Sequence, residues 1–199
     1  MNYQIAAPAA QPQNAFGPEQ CISDSVNFTE ALPNNCTHLT QASRQNLEAL
    51  IATAQKEIER GELPTGSYFV RSAEETAVFK PVVSNFEDKA RVLQHMRSFV
   101  LAVNADFVLL VVKSWTLAQP TMAEYERVLN KYGSVRASPN AILSVNFCLE
   151  TSRGMCVALP QVLPKWPSKR CTRLEHASWQ DIQQGTGVFL SMFPARSSD

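Results

Sequence analysis

The sequence has no apolar run near the roughly 18 residues that a membrane-spanning helix needs. Its longest apolar run, Phe107–Val112, is followed directly by Lys113. It also has no excess of one charge, because 18 Lys and Arg side chains balance 18 Asp and Glu side chains. This neutrality argues against a protein that binds DNA or an anionic membrane through bulk charge. No Lys or Arg precedes Arg44, so the sequence also lacks the basic start of a signal peptide.

The short motifs that bind metals and nucleotides are missing as well. There is no H-x-x-x-H or H-E-x-x-H pair, no C-x-x-C pair, no Asp-rich calcium loop, and no Walker or G-x-G-x-x-G loop. The five cysteines are an odd number and lie far apart, which is typical of reduced thiols rather than of a disulfide framework. We therefore expect no metal, no cofactor and no membrane partner, and a cytoplasmic location.

The chain has enough apolar material for one hydrophobic core, since 45% of its 199 residues are hydrophobic. Its start differs from the rest, because residues 6–15 are only Ala, Pro, Gln and Asn. Such a composition cannot bury enough apolar surface to offset the entropy of ordering. We predict an N-terminal arm over 1–38 that is flexible or ordered by a partner, a single domain over 39–195, and a frayed tail over 196–199.

Two long helices and one short helix are predicted from apolar spacing and from end signals. Gly61 followed by Pro64 marks the end of the first helix. A Ser84–Glu87 capping box begins the second helix, and a Thr121–Glu124 capping box begins the short one, which ends at Gly133. The predicted buried positions are Leu47, Leu50, Ile51, Ala54 and Ile58 in the first helix, and Leu93, Met96, Val100 and Val103 in the second.

The strand-forming segments come mostly in pairs, which favours a mainly antiparallel sheet. The continuous apolar run 106–117 predicts a central strand that is buried on both faces. We therefore predict an α+β fold, in which a sheet of about five strands, built from two hairpins and the central strand, is packed by two long helices. The predicted hairpins are Ser67–Val70 with Thr76–Val83, where Pro81 indicates an edge strand, and Ala141–Leu149 with Met155–Val162, joined by the Thr151–Gly154 turn.

One part of this pattern carries a resemblance. A long helix leads into Ala105–Trp115, and Pro139 and Asn140 precede a hairpin whose turn contains Gly154. This stretch resembles a group of small α+β proteins of bacteria, phages and mobile elements, and it covers about a third of the chain. The resemblance implies an α+β fold and a bacterial or mobile-element setting. It implies no chemistry, because no activity is attached to the group.

The candidate binding segment is basic and lies late in the chain. Residues 151–176 carry five basic side chains and one acidic side chain, and Trp166 lies between Pro164 and Pro167. The prolines predict no regular structure until about Arg173. Cations beside an aromatic ring suit an acidic protein surface, or the phosphates and bases of a single strand. An exposed loop with its tryptophan folded onto the core is the remaining interpretation. The predicted partner-binding residues are Lys165, Trp166, Lys169, Arg170 and Arg173.

Catalytic candidates are few. His176 could pair with Cys156 or Cys171 as a base and a nucleophile, but no known motif surrounds these residues. We expect His38 to be solvated and His95 to be a partly buried structural residue. No catalytic residue is therefore predicted.

The sequence favours an accessory or regulatory protein that acts by binding a macromolecular partner. A protein partner is favoured over nucleic acid, because the chain is neutral and has no nucleic-acid fold signature. Two alternatives stay open, which are an enzyme with a Cys/His pocket and a nucleic-acid binder that uses residues 165–173.

Overall fold

The computed structural model of the protein describes residues 31–81, 86–118, 121–165, 171–182 and 192–193. The predicted cap at Ser84 lies outside these ranges, as do residues 1–30 of the predicted arm and the predicted tail.

Three α-helices form where the local signals predict them. They are α1 (Gln41–Glu59), α2 (Phe86–Ala102) and α3 (Met122–Tyr132). Thr40 caps α1 by accepting a hydrogen bond from the Ser43 N–H at 3.1 Å. Gly61 follows α1 in the left-handed region, with φ of 86°, as expected of a helix stop. The predicted capping box of Thr121 and Glu124 begins α3, and a left-handed Gly133 ends it.

The main sheet is antiparallel, and its six strands lie in the order β2-β1-β3-β4-β5-β8. The predicted α+β class with a mainly antiparallel sheet is confirmed. The sheet has one more strand than expected, because β8 pairs with the outer edge of β5. The strands are β1 (Ser67–Arg71), β2 (Thr76–Phe79), β3 (Phe107–Thr116), β4 (Ile142–Thr151), β5 (Gly154–Ala158), β6 (Val162–Pro164), β7 (Thr172–Leu174) and β8 (Gln180–Ile182).

A second, two-stranded sheet pairs β6 with β7. The sequence predicts no regular structure from the prolines to about Arg173, and that prediction is wrong for β6, whereas β7 begins at Thr172, close to the predicted end of the irregular segment. Pro164 is compatible with β6 because it is the last residue of a strand in a two-stranded ribbon, where the missing N–H costs little. The predicted second hairpin is also shorter than expected, since β5 ends at Ala158 and β6 begins separately at Val162.

The core lies on both faces of the main sheet. One face of β3 carries Phe107, Leu109 and Val111, which belong to the same buried cluster as residues of α1. The other face carries Val108, which is buried in a cluster with residues of α2. Burial of side chains on alternate faces follows from the two-residue period of a strand. The α1 residues in the first cluster are Leu47, Ile51, Ala54 and Ile58, and the α2 residues in the second are Leu93, Met96 and Val100.

The predicted burial of β3 on both faces holds for only half of the strand. Phe107–Val111 is buried, whereas the side chains of residues 112–116 are partly or fully exposed. The reason is the length of the neighbouring strand, because β1 pairs with β3 only as far as Val111. The second half of β3 therefore extends beyond the core together with its partner strand β4.

Residues 31–38, the described part of the predicted arm, contact the domain. Asn34–Cys36 forms a 3-10 turn, and the side chains of Cys36 and Leu39 lie in the main buried cluster. The Asn35 side-chain N–H donates to the Gly154 carbonyl at 3.1 Å, and the Thr151 hydroxyl donates to the Asn35 carbonyl at 3.2 Å. The described segment that precedes α1 is therefore packed on the domain.

The cysteines differ from the prediction of five reduced thiols. Cys36, Cys148 and Cys156 are buried free thiols, but Cys171 is buried and disulfide-bonded. Disulfides persist mainly in oxidising compartments. The disulfide at Cys171 therefore argues against the predicted cytoplasmic location, which stays a prediction. Within the described ranges, no helix has both the length and the hydropathy needed to cross a bilayer.

Candidate functional site

The cysteines considered as nucleophiles do not supply a reactive thiolate. Cys156 is fully buried in β5, and its thiol donates to the Asn35 side-chain oxygen at 3.5 Å and to the Leu149 carbonyl at 3.8 Å. Burial raises the pKa of the Cys156 thiol, and the nearby Cys36 and Cys148 thiols raise it further. Because the thiolate is the nucleophile, a protonated buried thiol is inert. The Cys171 sulfur is already committed to a disulfide.

The three histidines lie in different surroundings. His95 is exposed on α2, so the expectation of a partly buried residue is wrong. His38 is half-buried, and its Nε2 lies 3.3 Å from the Ser152 hydroxyl in the β4–β5 turn. His176 is exposed and lines a shallow cavity of about 270 Å³ with Trp179 and Asp181. In the described part of the chain, no three His, Cys, Asp or Glu side chains are placed to hold a metal ion.

The predicted basic segment lies at the end of the β6–β7 ribbon. The Lys165 N–H donates to the Cys171 carbonyl at 3.0 Å and joins the two ends of the segment. The Thr172 hydroxyl donates to the Ile58 carbonyl and so attaches β7 to the end of α1. Lys165 is half-buried and Arg173 is exposed. The other three predicted binding residues, Trp166, Lys169 and Arg170, lie outside the described residues.

A cavity of about 610 Å³ lies beside the second half of β3, and we call it the β3 cavity. Its volume is typical of sites for small organic ligands. Apolar and aromatic residues form much of its lining, and polar residues are grouped at the end of β3. It is lined by Thr65, Gly66, Tyr68, Pro81, Leu110, Val112, Lys113, Ser114, Trp115, Thr116, Tyr125, Asn146 and Leu159.

A row of three hydrogen-bonded polar side chains crosses β3 and β4 at this cavity. Ser114 lies directly opposite Ser144, and their hydroxyl oxygens are 3.0 Å apart. The Ser114 hydroxyl also donates to the Asn146 side-chain oxygen at 2.7 Å. This bond fixes the Asn146 amide, because the oxygen is turned towards Ser114 and the nitrogen away from it. Within the described residues, the Asn146 side-chain nitrogen has no hydrogen-bond acceptor.

Tyr68 of β1 provides a second hydrogen-bonding group at the cavity. Burial raises the pKa of its hydroxyl, and the neighbouring Cys148 thiol raises it further. The hydroxyl is therefore protonated at neutral pH and can donate a hydrogen bond. In the part of the chain that the structure describes, no protein group accepts that bond.

One side of α3 is apolar and exposed to solvent. Met122, Tyr125 and Leu129 are 74%, 39% and 36% exposed, and their spacing of three and four residues places them on one side of the helix. We call these three residues the α3 face. Val128 is the one buried residue of the helix. Leu159, which is 45% exposed, lines the β3 cavity together with Tyr125, so the exposed apolar surface reaches the cavity rim.

An aromatic contact holds the segment after α3 against the sheet. The Arg136 guanidinium lies over the Trp115 ring, 5.9 Å from its centre. Arg136 belongs to a 3-10 turn, Val135–Ala137, in which Val135 is buried. This cation–π contact and the buried valine fix the position of the chain directly after α3. The α3 face is therefore presented by a helix that is anchored at its end.

Comparison of the chain with protein-family models, with curated proteins and with solved structures finds no match. The resemblance to small α+β proteins of bacteria, phages and mobile elements accordingly stays a prediction from the sequence.

Sequence reasoning missed both the α3 face and the β3 cavity. A signal for the first was present, because Met122, Tyr125 and Leu129 follow helical spacing. The spacing marks an apolar side but does not tell whether that side is covered. A signal for the second was the change along one face of β3 from Leu110 and Val112 to Ser114.

Proposed function

We propose that this protein acts by binding a partner protein, and that the α3 face is part of the surface that the partner covers. The observation that carries the proposal is the exposure of three large apolar side chains on one side of a capped helix. Methionine and tyrosine are enriched at protein interfaces, and a contiguous exposed apolar patch is typical of an interaction site.

The state of the thiols supports binding over catalysis. The pKa of Cys36 is raised to about 11 and that of Cys148 to about 12, in both cases chiefly by burial. With Cys156 also buried and protonated, the alternative of a Cys/His enzyme has no described thiol to act as nucleophile. The accessory or regulatory role, and the bacterial or mobile-element setting, rest on the sequence alone.

The chemistry of the α3 face favours an amphipathic helix as the partner's binding element. Apolar side chains at i, i+3 and i+7 match the spacing with which helices pack on one another. Glu126 is exposed and lies beside this stripe on the helix surface. A basic residue next to the apolar anchors of the partner would therefore meet Glu126. Such a rim charge contributes more to orientation and to the association rate than to affinity.

The basic segment 165–173 is proposed as a second contact with the same partner. Its ends are held together at the end of the β6–β7 ribbon, and Arg173 is exposed there. A charge-reversed loop variant, Trp166→Ala with Lys169→Glu and Arg170→Glu, should weaken the complex and leave the circular dichroism spectrum unchanged. If the loop is instead a nucleic-acid site, the wild type should bind single-stranded DNA, and the variant should lose that binding without weakening the protein complex.

Site-specific photocrosslinking tests the proposal in the full chain. A benzoylphenylalanine is placed at Met122 on the α3 face or, as a matched control, at Leu101, which is 58% exposed on α2. The proposal predicts that one protein is cross-linked from position 122 and not from position 101. In a second step, Leu129→Glu is added to the Met122 probe and should abolish that adduct, whereas added Leu101→Glu should not. Equal adducts from both positions, or an adduct that survives Leu129→Glu, would refute it.

A further inference from the structure

The side chains that face the β3 cavity change from apolar to polar along β3. Along this face of β3, the buried Val108 and Leu110 are followed by Val112 and then by Ser114. The Ser144 side chain is 1% exposed and bonds to Ser114, so the polar row is partly built into the interior. Burying hydroxyl and amide groups costs free energy unless their hydrogen bonds are made. Ser114 and Ser144 bond within the row, whereas the Asn146 side-chain nitrogen has no acceptor among the described residues, so a bound acceptor would complete the row.

We infer that the β3 cavity binds a small organic molecule with a flat apolar body and a head that accepts hydrogen bonds, a carboxylate or a carbonyl group. This inference is independent of the partner protein proposed above, because it rests on the cavity rather than on the α3 face.

The body of the ligand is set by the apolar part of the lining. Leu110 and Val112 of β3 provide aliphatic surface, and Tyr68 and Tyr125 provide aromatic residues around it. Aromatic side chains favour stacked or edge-on contacts with flat rings. A cavity of about 610 Å³ accommodates a molecule of one to three fused or linked rings.

The chemistry of the ligand's head follows from the hydrogen-bond donors at the cavity that have no acceptor among the described residues. Among the described residues, the Asn146 side-chain N–H groups and the Tyr68 hydroxyl have no acceptor, although both residues line the cavity. Since Ser114 already occupies the Asn146 oxygen, the amide offers the cavity donors only. A cavity end that offers donors only favours an acceptor that is neutral or negative.

The test compares two probes that share one ring system. 2-Naphthoate carries a carboxylate, whereas 2-naphthylmethylammonium carries a head that only donates. Each is titrated into the ¹⁵N-labelled full chain, and amide shifts are followed by nuclear magnetic resonance. We expect 2-naphthoate to shift amides of β1, β3 and β4 around Tyr68, Ser114 and Asn146, and to bind about tenfold more tightly than the ammonium probe.

Two variants with matched controls test whether Asn146 and Tyr68 bind the head of the ligand. Asn146→Asp keeps the acceptor for Ser114 but removes both N–H donors, and it should weaken 2-naphthoate binding about tenfold or more. Asn130→Asp introduces the same charge on the exposed side of α3 and should leave the affinity within about twofold. Tyr68→Phe keeps the ring, adds no charge and should weaken binding several-fold, whereas Tyr132→Phe on α3 should not.

Three results would overturn the inference. The first is no saturable shift with 2-naphthoate. The second is a set of shifts confined to α3, which would place the probe on the α3 face instead. The third is equal affinity of both probes, or equal affinity in Tyr68→Phe and Tyr132→Phe. The photocrosslinking result does not depend on any of these outcomes, so the two proposals can fail separately.

Discussion

The backbone N–H of Met192 donates to the buried side chain of Glu150 and lies 2.7 Å from one carboxyl oxygen and 2.8 Å from the other. The N–H of Phe193 donates to the same carboxylate at 3.0 Å. Glu150 lies in β4 opposite Val108, and Met192 is buried against the α2 side of the sheet. One acidic side chain thus fixes a segment 42 residues further along the chain to the core.

We predict that Glu150→Gln lowers the free energy of unfolding by about 1–3 kcal/mol, because it replaces one of two buried acceptor oxygens with an N–H₂ donor that faces the same backbone N–H groups. Urea denaturation followed by circular dichroism measures the change. Glu126→Gln, at an exposed position on α3, is the matched control and should cost less than about 0.5 kcal/mol. Equal stabilities of the two variants would mean that Glu150 does not hold the segment.

The contact of Asn35 with the β4–β5 turn gives a second prediction. Asn35→Ala removes the side-chain donor to the Gly154 carbonyl and one of the two acceptors of the Cys156 thiol, so it should cost about 1–3 kcal/mol in urea denaturation. This opposes the expectation from the sequence that residues up to 38 form a separate arm. Asn130→Ala on α3 serves as the control. If Asn35→Ala is as neutral as the control, the segment before α1 is not part of the domain.

The extent to which the sequence predicts this fold depends on how local each signal is. Thr121, Glu124 and Gly133 define α3 through contacts within the helix and its ends, and the structure confirms all three. The β6–β7 ribbon is different, because strands of three residues form only when the chain brings them together. Asn35 likewise bonds to a residue 119 positions away, and no pattern in one sequence announces such a partner.

The α3 face and the β3 cavity could be predicted from the sequence to a smaller extent than the fold. The spacing of Met122, Tyr125 and Leu129 indicates an apolar side of α3, but exposure is decided by what packs nearby. The β3 cavity exists because β1 stops pairing at Val111, which depends on strand register rather than on composition. The disulfide at Cys171 contradicted a prediction that rested on cysteine number and spacing.

The thiol of Cys148 predicts a pH dependence of stability. Burial raises its pKa from 9.0 in the unfolded chain to about 12 in the fold. Between these values the unfolded chain releases a proton that the fold retains, so stability falls as the pH rises above 9. The loss is at most about 1.4 kcal/mol per pH unit for this group.

Urea denaturation of the wild type and of Cys148→Ala at pH 8, 9 and 10 measures this contribution. Other groups titrate in the same range, so the difference between the two proteins isolates the thiol. The wild type should lose more stability between pH 9 and pH 10 than the variant. Parallel curves for the two proteins would contradict the burial of a protonated thiol.

Alkylation without reduction tests the cysteine assignments. Under native conditions at pH 8, iodoacetamide should leave Cys36, Cys148 and Cys156 unlabelled, and urea should expose all three. Cys171 should be labelled only after reduction. The fifth cysteine, Cys21, lies outside the described residues, and the peptide that contains it is the one to seek in disulfide linkage by mass spectrometry. Labelling of Cys171 in unreduced, denatured protein would show that the disulfide is absent.

The most direct test of partner binding uses the partner protein that is cross-linked from position 122. Its affinity is measured for the wild type and for two variants of this chain that each introduce a carboxylate. Leu129→Glu places a carboxylate in the α3 face, and Leu101→Glu places one at an exposed site of α2. Isothermal titration calorimetry should give a Kd that is about tenfold or more weaker for Leu129→Glu. For Leu101→Glu, the Kd should lie within about twofold of the wild type. A Kd for Leu129→Glu equal to that of Leu101→Glu would contradict the α3 face as the binding surface.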